Sequence, residues 1–122
     1  MRNTRKTRVL RFGLYADEAG LARVTGLVHR AAGGRGARIV RTEIVRTYPH
    51  GGPTAAEAYE LLAEQWEIEH PGEDAGGREA VELRVRMVCS LRVWRAVRKA
   101  VIEGLCPEGA APHVCRVPWC TS

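Results

Sequence analysis

An α+β fold with one open sheet face is the class this sequence predicts, and three observations predict it. Elements of period two and period 3.6 alternate along the chain. The first three strands interleave aliphatic residues with arginine, so only one side of each belongs in a core. With 122 residues, 45% hydrophobic and 27% charged, the chain suits one globular domain that hides roughly two thirds of its unfolded surface.

Residues 8–15, RVLRFGLY, give the first strand, with Leu10, Phe12 and Leu14 on one side and Val9, Arg11, Gly13 and Tyr15 on the other. Asp17 then has the chemistry of an N-cap, and Glu18 suits the positive end of the helix dipole. Leu21, Val24, Leu27, Val28 and Ala31 follow at helical spacing until Gly33-Gly34 stops the helix. The β-branched run 37–48 predicts a second strand, with Val40, Thr42, Ile44 and Tyr48 on one face and Ile39, Arg41, Glu43 and Val45 on the other.

Thr54 and Glu57 have capping-box spacing and open a helix to Glu69, whose apolar line is Ala55, Ala58, Tyr59, Leu62 and Trp66. In residues 80–88, Val81, Leu83, Val85 and Met87 alternate with Glu82, Arg84, Arg86 and Val88, which predicts a third strand. Ser90 caps a last helix on Val93, Trp94, Val97, Ala100 and Val101, with Arg92, Arg95, Arg98 and Lys99 outside. Residues 113–119 read as a short final strand, which Pro118 places at an edge or an end.

A doubly wound parallel sheet would need near-continuous apolar strands. Arginine-interleaved strands fit a ferredoxin-like open-faced sandwich instead, β-α-β-[inserted α]-β-α-β on a mainly antiparallel four-stranded sheet. Residues 1–7 form a basic tail, residues 8–122 one domain, and helix 54–69 an insertion between strands two and three. The line Tyr59, Leu62 and Trp66 must be covered, because burying one Trp is worth up to about 4 kcal/mol. The second sheet face, the other helices or a partner subunit could cover it, which makes these three residues interface candidates.

Charge is partitioned along the chain. Residues 1–46 carry +8, residues 47–77 carry −7 with no lysine or arginine, and residues 78–122 carry +4. Opposite segments of this kind steer association, so a homo-oligomer or protein partner is the leading expectation. Nucleic acid is the runner-up, through Arg2, Arg5 and Lys6 of the tail with the adjoining Arg8, and Arg11, Arg41, Arg84 and Arg86 of the sheet. Against it, the sheet face offers few aromatics for base stacking.

An enzyme is less favoured. His50 and Tyr48 lie in a glycine-containing loop, but no partner for the histidine is fixed by the sequence. Cys106, His113, Cys115 and Cys120 include zinc-ligand types without a C-x-x-C knuckle or finger spacing, so neither a metal nor any other cofactor is expected. No apolar run approaches the ~20 residues of a membrane span. With no apolar segment after the basic N-terminus, the cytoplasm is the default compartment and the cysteines are expected as free thiols.

Overall fold

The structure, a computed structural model, describes residues 4–46, 54–106 and 117–121. Its elements run β1 (Lys6–Ala16), α1 (Glu18–Gly33), β2 (Arg38–Val45), α2 (Ala55–Ala58), α3 (Glu60–Glu69), β3 (Glu79–Cys89), α4 (Leu91–Leu105) and β4 (Trp119–Thr121). The four strands form one sheet in the order β2-β3-β1-β4, and every neighbouring pair is antiparallel. The expected α+β class with an open antiparallel sheet is what the chain adopts.

Local chemistry sets the element boundaries. Asp17 Oδ1 accepts the Gly20 N–H at 2.8 Å, Thr54 Oγ1 that of Glu57 at 3.2 Å, and Ser90 Oγ that of Val93 at 3.2 Å. Each therefore satisfies a donor that the first helical turn leaves over. After α1 the left-handed residue is Gly36, at φ +74°, where a side chain would be strained.

The main core lies between the sheet and the pair α1–α4. Leu10, Phe12 and Leu14 of β1 meet Val81, Leu83, Val85 and Met87 of β3, roofed by Val24, Val28, Val97 and Val101. The two helices touch closely at Gly104, where a methyl group would come within 2.8 Å of Leu27 Cδ2.

Three details depart from the pattern the sequence suggests. Strand β2 carries a bulge: Ile39 pairs with Met87 while Arg41 pairs with Arg86, and Val40 between them is 54% exposed. The extra residue inverts the alternation N-terminal to it. Ile39 thus joins the core side, while Arg38, opposite Val88, joins the outer face. Secondly, β1 begins at Lys6, so Lys6 and Thr7 of the expected tail pair with Cys89 and Val88. Thirdly, the inserted helix is two helices that meet at Tyr59, whose φ and ψ of −117° and 27° are not helical.

Those two helices lie on the second face of the sheet. Leu62 and Trp66 are buried against Tyr15 and Ala80, with Tyr59 and Ala63 at the margin. Trp66 is 3% exposed. Tyr15 sits 6.2 Å from its ring, His70 stacks on it at 4.6 Å, and the Arg78 guanidinium lies 4.9 Å from its centroid. The ring therefore combines apolar burial with a cation–π contact.

Candidate binding face

Cross-strand register orders the outer face into rows. Tyr15–Ala80 and Gly13–Glu82 lie beneath α2 and α3; Arg11–Arg84, Val9–Arg86 and Thr7–Val88 follow along the same strands. Strand β2 adds Val45, Glu43, Arg41 and Arg38 beside Glu82, Arg84, Arg86 and Val88. One half of the face is thus covered, and the other is lined by arginine.

The seam between the halves is a built polar site. Gly13 lets the Tyr59 ring rest on the strand: a methyl there would be 2.8 Å from Cζ and closer still to Cε1 and Cδ1. Tyr59 Oη donates to Glu82 Oε1 at 2.6 Å, and Arg84 Nε donates to Glu82 Oε2. Glu82 is only 5% exposed, and a buried carboxylate demands such partners. Cys120 stands opposite Gly13 in β4. Partial desolvation pushes its thiol pKa up and the Glu82 carboxylate adds to the rise, against a hydrogen bond with the Gly13 backbone.

Beyond the seam, Glu43 is the only acid of the rows. Arg41 reaches it at 3.2 Å and Arg86 at 3.8 Å. Arg11 stands directly opposite Arg84, a like-charge pairing that destabilises a sheet. Neither Arg11 nor Arg38 forms an ion pair with a described residue. The half-face therefore holds more positive charge than the described residues around it neutralise.

The remaining expected residues fall elsewhere. Arg5 donates to the carbonyls of Gly36 at 3.5 Å and Val88 at 3.4 Å, which ties it to the sheet end. Arg8 pairs with Met87, on the core side of β1, and its Nε donates to Cys89 O at 3.1 Å. It is thus not part of the outer arginine face. Lys6 is an exposed residue of β1. Tyr59, Leu62 and Trp66 cover the chain's own sheet, so their apolar area is used within the molecule.

Arg2, Tyr48, His50, His113 and Cys115 lie outside the described residues. Cys106 is partly buried and Cys120 exposed, and among the described residues no three His, Cys, Asp or Glu side chains converge as metal ligands. No described helix is long and apolar enough to cross a membrane.

Pattern reading missed Gly13, Glu82 and Arg38. A glycine inside a strand does signal close approach of another group, so Gly13 was available to it. Arg38 was not, because one bulge reverses its side. A cleft of about 580 Å³ opens at the other end of the sheet, by the β1–α1 turn. Its charged groups are largely engaged: Asp17 caps α1, and Arg46 pairs with Glu79 at 2.6 Å.

Fold and face together define a small α+β protein whose sheet, among the described residues, is half covered on its outer face and basic on the other half. Comparison with family models, curated proteins and solved structures gives no match, and geometry alone carries the functional reading.

Proposed function

We propose that this is a non-catalytic binding or assembly protein whose working surface is the arginine-lined half of the outer sheet face, and whose partner is an acidic protein surface. One observation carries the reading: Arg11, Arg38, Arg41, Arg84 and Arg86 gather on three adjacent strands, with Glu43 the only acid of the bare rows. An incoming carboxylate relieves the opposition of Arg11 and Arg84 and accepts bidentate hydrogen bonds from guanidinium groups. The β2 edge is a poorer candidate, because its bulge and its charged side chains blunt strand addition. We also read the order β2-β3-β1-β4, with α1 and α4 on the core side, as the ferredoxin-like arrangement.

Nucleic acid is the competing partner. The outer face speaks against it: Tyr15 lies under α3 and Tyr59 under its bond to Glu82, which leaves no described aromatic side chain free for base stacking on the bare rows. Fluorescence anisotropy of labelled poly-glutamate and of a labelled single-stranded oligonucleotide tests the choice, using wild type and Arg11→Glu/Arg38→Glu. The proposal expects poly-glutamate to bind the wild type and to lose about tenfold or more in affinity with the variant. Binding of the oligonucleotide alone moves the function to nucleic acid. Binding of neither at protein dilutions where the chain is monomeric, or binding indifferent to the variant, rejects the face.

A further inference from the structure

Three features of the molecule lie outside the roles described so far. The cleft at the β1–α1 turn consists of a helix start and groups that pair with one another. Cys120 is a single thiol at the seam. The third feature is a complementarity between two parts of the outer face, and it carries an argument.

Helix α3 covers half of the sheet and turns a different surface outward. Glu57, Glu60, Glu64 and Glu67 of α2 and α3 are exposed, and none forms an ion pair with a described residue. Among them stand two large apolar side chains, Leu61 at 77% and Ile68 at 79% exposure. Seven residues apart, they lie on one line of the helix. Beside this raised acidic layer lies the lower arginine-lined half, with the partly exposed Val9 and Val88 among its arginines.

From this step we infer that the acidic partner is a second copy of the chain, paired about a two-fold axis. The inference rests on the reading above and names its partner. In such a pair α3 of each copy fills the space beside α3 of the other and sets its glutamates against the partner's arginines. The contact is isologous: the raised half of one copy meets the lowered half of the other, and the exchange is mutual. Lengths agree. The ten residues of α3 extend about 15 Å, and the strand from Thr7 to Arg11 runs about 13 Å. Direct face-to-face pairing of the two arginine halves is opposed by like-charge repulsion, whereas the offset arrangement satisfies both charges.

A reciprocal charge swap tests the pairing. One variant is Arg11→Glu/Arg38→Glu; the other is Glu64→Arg/Glu67→Arg. All four positions are exposed, and the wild-type far-UV dichroism checks folding. Sedimentation velocity across a concentration series is expected to give a dimer for the wild type that weakens with salt. Each variant alone should lose affinity about 100-fold, since its faces now repel. An equimolar mixture of the two should regain the dimer, because both contacts again join opposite charges.

Leu61→Glu/Ile68→Glu, at positions that solvate freely, should also give a monomer and covers the case of a misfolded charge variant. A wild type that stays monomeric throughout, variants that dimerise as tightly as wild type, or a mixture that stays monomeric overturns the inference. Poly-glutamate binding separates the two levels. A monomer that still captures poly-glutamate through Arg11 and Arg38 refutes the self-pairing and leaves the binding face standing; a monomer that captures nothing refutes both.

Discussion

Replacing Gly13 by alanine should destabilise this protein, although the same change in an ordinary strand stabilises. In isolation the substitution restricts the unfolded chain and gains about 0.4–1 kcal/mol. Here the methyl enters the space of the Tyr59 ring, 2.8 Å from Cζ and nearer to two further ring carbons. The ring cannot yield without moving its hydroxyl from Glu82, 2.6 Å away. A hydrogen bond to a charged group is worth about 1.5–3 kcal/mol, and an overpacked site costs about 1–3 kcal/mol. Because one ring movement incurs both costs, they overlap, and the net loss should be about 2–4 kcal/mol. For a domain of this length that is roughly a 10 °C fall in Tm.

Urea unfolding of wild type, Gly13→Ala, Tyr59→Ala and the double variant closes a cycle. In the Tyr59→Ala background the alanine at position 13 has no ring to meet and should become neutral or stabilising. That change of sign is the diagnostic. If Gly13→Ala has the same effect with and without the Tyr59 ring, then Tyr59 does not rest on the strand and the seam between the two halves is misplaced.

Other perturbations have equally definite outcomes. Trp66→Ala removes the centre of the second apolar cluster and should cost about 3–5 kcal/mol, read as a lowered urea midpoint with loss of near-ultraviolet dichroism. Asp17→Ala deletes the cap of α1 and should cost about 1 kcal/mol in the same assay. Burial pushes the Cys89 thiol pKa up against the opposing charges of Arg8 and Arg5. Its contribution to stability is therefore complete below the ordinary thiol range and is lost as pH rises through the elevated folded value. Urea midpoints from about pH 7 to about pH 10 should fall more steeply for wild type than for Cys89→Ala, and parallel profiles would refute the assignment.

Much of the fold could be read from residue periods. The arginine-interleaved strands excluded a doubly wound sheet, and Asp17, Thr54 and Ser90 stand at the helix starts their chemistry suggests. What escaped was set by single residues. A bulge adds one residue and reverses the sides of everything beyond it, which no period can register; Ile39 and Arg38 exchanged faces for that reason. The break at Tyr59 was equally hidden, because helical spacing continues through it. The ring's position is held by its bond to Glu82 over Gly13 and by its packing at the second apolar cluster.

The division of the outer face into a covered and a bare half follows from a gradient along the strands. On β1 the outward residues run Thr7, Val9, Arg11, Gly13, Tyr15; on β3, in the opposite sense, they run Val88, Arg86, Arg84, Glu82, Ala80. At one end the sheet offers glycine, alanine and a tyrosine ring, a surface a helix can approach closely with its own Trp66 and Leu62. In the middle it offers arginine, whose desolvation beneath an apolar helix would cost several kcal/mol without a carboxylate for each. Glu82 meets that requirement once, for Arg84, at the line where the cover stops. Covering the remaining arginines takes a surface that brings carboxylates with it. The glutamate-lined outer side of α2 and α3 has that composition, but within one chain it points away from the arginines it would suit. A second molecule would remove that geometric conflict, and the proposed two-fold pairing supplies one.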